Sequence, residues 1–224
     1  MQAYGPRGWW PLVELRHRLP AAGGYHPGDY RPPATQAERF EVGVGAILTQ
    51  NTTWKQVEGC LDTLQRLGGL EPAALLKLDA VEIAAAIRSS GYFRQKSRKL
   101  LGYARFFLHW DPKPPPRPEL LALWGIGEET ADSILLYAYG RPFFVVDAYS
   151  RRLVARLTGV PVPAYSRLQQ YFAAPFMDMD PASRAIVFNE FHALVVTVAK
   201  AHCRRQPLCR GCPLESVCLS AEKT

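Results

Sequence analysis

Apolar residues recurring at steps of three and four are the feature that most narrows the folds open to this chain. Val81 to Ala86 with Ile87, then Leu100, Leu101, Ala104 and Phe107, then Ala131, Ile134, Leu135 and Ala138 each line one face of a helix. The period-two alternation of a half-buried strand is scarce. Breaks fall at Gly68-Gly69, Gly91, the proline-rich stretch Asp111 to Pro118, Gly125-Ile126-Gly127, Gly140-Arg141-Pro142 and Gly159. The expectation is an all-α protein without internal repeats. Its 224 residues, 48% of them hydrophobic, suffice for one large domain or two small lobes. The proline stretch suits an interdomain linker and a stiff connection between two helices of one lobe equally well, so it sets no boundary.

The charge balance, 27 Lys and Arg against 20 Asp and Glu, gives a net +7 that favours a polyanionic partner without proving one. Residues Met1 to Pro11 hold paired tryptophans and a proline, with no basic segment leading into an apolar one, so they do not read as a signal peptide and a cytoplasmic location is expected. The longest apolar runs, near Val42 to Leu48 and Ala193 to Val198, are short of the ~20 residues a membrane helix needs. No membrane role is expected.

Leu120 to Ala138 reads as a helix, a tight turn and a second helix. Gly125 and Gly127 are expected to permit positive φ and to leave room for a close approach. The amides of Gly125, Ile126 and Gly127 and of the following first helical turn would then form an anion site suited to a DNA phosphate. A plain helix–turn–helix connector fits the same residues. Asp147 precedes Ala148 to Leu157, an amphipathic helix, and is a natural N-cap there.

Four of the five cysteines, Cys203, Cys209, Cys212 and Cys218, crowd into one short segment with gaps of five, two and five residues. In an intracellular chain that pattern indicates metal ligation more than disulfides. Four thiolates suit either tetrahedral zinc or an iron–sulfur cube. Zinc sites more often use two Cys-x-x-Cys knuckles, and this segment has one, Cys209 to Cys212. Arg204, Arg205 and Arg210 make the segment basic, a surface for phosphates or simply a solvated face. Cys60 lies apart on an apolar helix and is expected to pack as a small core residue.

The run Leu123-Trp-Gly-Ile-Gly-Glu-Glu-Thr-Ala131, followed by Gly140 to Pro142 and Val145-Val146-Asp147, resembles the helix–hairpin–helix and aspartate motif of the endonuclease III superfamily of DNA glycosylases. Ala46 to Thr52, Ile87 to Lys96 and the terminal cysteines agree in order and spacing, so the likeness extends from about Phe40 to Cys218. It implies two helical lobes with the hairpin and the aspartate flanking a cleft. The expected division is a six-helix lobe at 31–141 holding the hairpin, and a second lobe from 1–30 plus 142–224 with the cluster loop at 203–218. A 4Fe–4S cluster on the four cysteines follows from the resemblance. The first cysteine gap is one residue shorter than is usual in endonuclease III.

The same resemblance implies that Asp147 stabilises the cationic sugar and orients or deprotonates the attacking water. Bifunctional relatives carry a lysine where this chain has Glu129; a carboxylate forms no imine, so hydrolysis is expected and lyase activity should be weak or absent. Glu129 also reads simply as a first-turn acid, and Lys55 or Lys200 would be the substitutes to consider. The glutamate variant, Trp9-Trp10-Pro11 and Trp54 look closest to the branch with a bacterial 3-methyladenine DNA glycosylase. Trp9, Trp10 and Trp54 would wall a pocket for an alkylated purine, or serve as ordinary core residues. Gln50 matches the residue that relatives push into the gap left by the flipped nucleotide. The resulting expectation is a monomeric, nucleoid-associated base-excision enzyme acting on duplex DNA. The alternatives are a bifunctional endonuclease III acting on oxidised pyrimidines and a catalytically weak damage-binding protein.

Overall fold

The structure, a computed structural model, describes residues 3–221. The chain runs through α1 (Val13–Arg18), α2 (Gln36–Leu48), α3 (Trp54–Arg66), α4 (Pro72–Leu75), α5 (Ala80–Ala86), α6 (Phe93–Trp110), α7 (Arg117–Leu121), α8 (Glu128–Tyr139), α9 (Ala148–Thr158), α10 (Tyr165–Ala173) and α11 (Pro181–Ala201). No strand occurs among the described residues. The apolar periodicities fall in α5, α6 and α8, so the all-α expectation holds. Two compact units result, one from residues 10–26 and 31–141, the other from the residues up to Trp9, Pro27–Tyr30 and the residues from Pro142 onward.

In the first unit, α2 begins at a capping box: Thr35 accepts the Glu38 amide and Glu38 accepts the Thr35 amide. Beyond that turn the helix is buried on all sides and apolar except for Glu41, with Val42, Val44, Ile47 and Leu48 fully buried, as befits a central helix. It packs on α6 and α8. Two glycines bring aromatics up to its backbone. A Cβ on Gly43 would lie 2.1 Å from the Tyr103 hydroxyl, and one on Gly45 would lie 2.7 Å from Trp10 Cζ2.

Residues 10–26 were expected with the C-terminal half, and here the structure differs. Trp10 sits over Gly45, the Val13 amide donates to Glu41 Oε1 at 2.7 Å, and Arg16 pairs with Asp62 at 2.8 Å. These anchors lie on α2 and α3. The region 31–141 also holds seven α-helical segments, α2 to α8, where six were expected. The proline stretch proves to be a connection within one unit, between α6 and α7, tied to α2 by a two-pronged Arg39–Asp111 ion pair at 2.6 and 3.0 Å.

In the second unit, Phe144 stacks on Phe172 at 4.4 Å and meets Phe188 edge-on at 5.5 Å, joining α10 and α11. By length and composition α11 is apolar enough to cross a membrane. It nonetheless buries Asn189, Glu190 and His192. Glu190 receives the amides of Arg7 and Gly8 at 3.0 and 3.2 Å, and Asn189 receives that of Trp9 at 3.0 Å. Such a set of internal polar partners belongs to the core helix of a folded unit.

Candidate active site and nucleic-acid interface

The hairpin lies between α7 and α8. Arg117 grips Asp132 through two bonds of 2.6 and 3.0 Å, fixing the two helices to each other. Gly125 has φ +79°, a conformation that favours glycine, and any Cβ there would displace the end of the Lys99 side chain. The other expectations for the turn need correcting. Gly127 is the extended N-cap of α8, φ −99°, and not left-handed. Ile126 is buried and its amide already donates to Leu123 O at 3.1 Å, closing the turn. The first turn of α8 receives no side-chain cap from its N-cap Gly127, which leaves this turn as the part of the hairpin suited to an anion. Glu129 is exposed on that turn.

Gln50 is built into this hairpin and does not project from it. Its Nε2 donates to Gly125 O at 3.1 Å and to Thr130 Oγ1 at 2.9 Å, while its Oε1 accepts from Lys99 Nζ at 2.5 Å. Insertion into a duplex would require exchanging these bonds. Burial lowers the proton affinity of the Lys99 amine. Trp124 is half exposed under the Arg98 guanidinium, 4.4 Å from the ring centre. Nothing in the sequence reading had singled out Lys99, Arg98 or Trp124. An aromatic directly before a Gly-x-Gly turn was the signal available.

Trp10 and Trp54 meet edge-on at 4.9 Å, and Tyr137 of α8 lies 5.4 Å from Trp10. Trp10 is buried and Trp54 is partly exposed. Trp9 belongs to the other unit, where it is buried and hooked to Asn189 through its backbone. The structure thus brings two of the three tryptophans together.

Asp147 caps α9 as its position suggested. Oδ1 accepts the Ser150 amide at 2.7 Å and the Ser150 hydroxyl at 2.9 Å. Oδ2 faces His192 Nε2 of α11 at 3.5 Å. Burial pushes the carboxyl toward the neutral form, but the His192 contact and the Ser150 bonds outweigh it, holding the group below its ordinary value of 3.8. The result is a buried negative charge that persists at neutral pH. Lys55 and Lys200, the amines considered as substitutes, are both exposed, and Lys200 Nζ lies 5.9 Å from the Tyr149 ring centre.

Cys203, Cys209, Cys212 and Cys218 line one hollow of about 390 Å³, counted to its open mouth, with Leu153, Leu157 and Leu214 as apolar wall. Among the described residues no three His, Cys, Asp or Glu side chains converge where a single ion would sit. Four thiols on one hollow with apolar backing are the kind of donor set an iron–sulfur cluster takes. Arg156 anchors the loop. Its Nη1 donates to Cys203 Sγ at 3.3 Å and to Arg204 O at 2.5 Å, and its Nη2 to Arg205 O at 2.9 Å. Arg204, Arg205 and Arg210 keep their side chains exposed. Cys60 is buried, with its sulfur 3.1 Å from the Ser89 hydroxyl.

Known proteins are similar to this chain in sequence and in fold. A protein of Methanocaldococcus jannaschii that carries the name of a DNA repair glycosylase is 34% identical, over 97% of this chain and 91% of its own. The Helicobacter pylori 3-methyladenine DNA glycosylase, solved with 1,N6-ethenoadenine, superposes with a TM-score of 0.66 at 26% identity, covering 75% of this chain and 90% of that one. An endonuclease III trapped covalently on DNA shares the fold at a TM-score of 0.69 and 22% identity, over 95% and 94% of the two chains. Residues 44–176, which hold the Gln50 loop, the hairpin and Asp147, match the HhH-GPD superfamily base excision DNA repair protein family, and the chain belongs to that superfamily.

Proposed function

We propose that this protein is a monofunctional DNA glycosylase that flips a damaged base from duplex DNA and hydrolyses its N-glycosidic bond, with alkylated purines as preferred substrates. The observation that carries the reading is Asp147, buried yet held ionised by Ser150 and His192. A fixed negative charge in a poorly hydrated site stabilises the cationic sugar as the base departs, and the same carboxylate takes a proton from the attacking water. Glu129 at the usual lysine position offers no amine for an imine, so water is the nucleophile. Trp10 and Trp54 supply aromatic faces, and an indole attracts a cationic alkylated base more than a neutral one. The hairpin amides of α8 and the exposed Arg204, Arg205 and Arg210 engage phosphates of the duplex as a monomer would. A 4Fe–4S cluster on the four cysteines holds the loop and lends it charge, apart from the bond-breaking chemistry. The setting is then the cytoplasm, at the nucleoid.

A second reading, a bifunctional glycosylase/lyase, draws on one observation: Lys99 is an amine of lowered proton affinity beside Gly125. One experiment separates the two. Base release is measured on duplexes carrying 3-methyladenine, thymine glycol, uracil, mismatched thymine or an abasic site, with and without alkali, alongside borohydride trapping. Release of 3-methyladenine with strand scission only after alkali, and no trapped adduct, is expected. An adduct mapping to Lys99 overturns the monofunctional reading.

A further inference from the structure

We infer that His192 is the positioning residue of Asp147, holding the second carboxylate oxygen in its reactive orientation; this rests on the reading of Asp147 above. Ser150 fixes Oδ1 with two bonds, its amide at 2.7 Å and its hydroxyl at 2.9 Å. A carboxylate pinned at one oxygen can still swing the other. Oδ2 has His192 Nε2 at 3.5 Å, an ion-pair separation.

The surroundings make that ring a rigid support. His192 is 7% exposed on α11, and Phe144 meets it edge-on with centroids 6.2 Å apart. The nearby Tyr165 hydroxyl serves the Val146 amide at 3.3 Å. An N–H presented by His192 to Oδ2 holds the carboxylate in one orientation, and an oriented negative charge is what a departing base requires from this site. His192 therefore acts through Asp147 and not on the substrate.

The test uses the full-length protein with its cluster and compares His192→Leu, which keeps bulk and loses the donor, with His192→Gln, which restores an N–H. His192→Leu is expected to lower single-turnover base release roughly 10- to 100-fold, the range for a lost bond to a charged group, with affinity for abasic-site duplex unchanged. His192→Gln should recover most of the rate. NMR titration of the Asp147 carboxyl should show its pKa raised in His192→Leu, a readout that needs no turnover. Combining Asp147→Asn with His192→Leu should be no slower than Asp147→Asn alone. Wild-type rates in His192→Leu, or equal losses in Leu and Gln variants that follow a fall in melting temperature, overturn the inference. Undiminished base release by Asp147→Asn instead removes the reading of Asp147 as the reacting acid, while the titration still reports whether His192 holds it.

Discussion

Asp147 and Glu41 are both buried carboxylates, one in each unit, yet burial leaves them in opposite states. Asp147 lies below its ordinary 3.8, whereas Glu41 is pushed from 4.5 up to about 7. Desolvation is the largest influence on both and favours the neutral acid in both. Neighbours make the difference. Asp147 receives two bonds from Ser150 and faces His192, while Glu41 has the Val13 amide at 2.7 Å and a more distant Arg16, itself engaged by Asp62. A buried acid is thus no sign of chemistry by itself. Glu41 docks the segment before α1 onto α2, and Asp147 is equipped to stay charged.

The largest effect expected from this contrast is on catalysis. Asp147→Asn should slow base release by about 10²- to 10⁴-fold, the range for a general acid–base group. Asn keeps the helix cap, so any fall in melting temperature should be limited to what the carboxylate charge contributes. With its folded pKa depressed, Asp147 contributes stability that is present above the unfolded value and lost only as pH falls through the folded one. A pH–rate profile should accordingly show no acid limb from this group above about pH 5. A variant that keeps wild-type rates would put Asp147 in the same class as Glu41.

Glu41 has the reverse linkage. Its raised pKa gives stability that is full below about 4.5 and lost as pH rises through about 7. At about 1.4 kcal/mol per pKa unit the cost of ionising it is about 3.5 kcal/mol as an upper bound. Glu41→Gln keeps an acceptor for Val13 and removes the charge, so denaturant unfolding at pH 8 should show a gain of up to that size, vanishing near pH 4. Base release per folded molecule should stay unchanged. A flat pH dependence in wild type would mean that water reaches the Glu41 carboxylate.

Ser150→Ala sharpens the account of Asp147 at a smaller scale. It deletes the hydroxyl bond and leaves the amide one, a loss of about 0.5–1.5 kcal/mol. The Asp147 carboxyl should titrate higher by NMR, and base release should fall several-fold, less than in His192→Leu. Equal losses in the two variants would assign the two oxygens equal weight.

What the sequence could disclose divides along the same line. The cap of α9 joins residues three apart, and the helices α5, α6 and α8 are local periodicities, so both were legible. His192 reaches Asp147 from another helix 45 positions along, and Lys99 reaches Gln50 from 49 away. No local pattern encodes such meetings. The tryptophans were legible as a group, but Trp9 and Trp10 part company because Asn189 holds the backbone of one and Gly45 admits the ring of the other. In the hairpin the glycines were visible, while which of them needed to be glycine depended on the backbone, left-handed at Gly125 and extended at Gly127.

Glu129 gives the comparison its third member and its smallest effect. It is an exposed first-turn acid of α8, where the helix dipole favours a negative side chain by about 0.3–1 kcal/mol. Glu129→Gln should therefore change stability by less than about 0.5 kcal/mol, the usual scale for a surface substitution, and base release by less than about threefold. Glu129→Lys separates position from charge. If this residue occupies the place that an imine-forming lysine takes in relatives, the variant should yield a borohydride-trapped adduct on abasic DNA where wild type yields none. An absence of adduct in Glu129→Lys, with hydrolysis intact, would show that the first turn of α8 does not bring its second side chain to the sugar, and that Asp147 is approached from elsewhere.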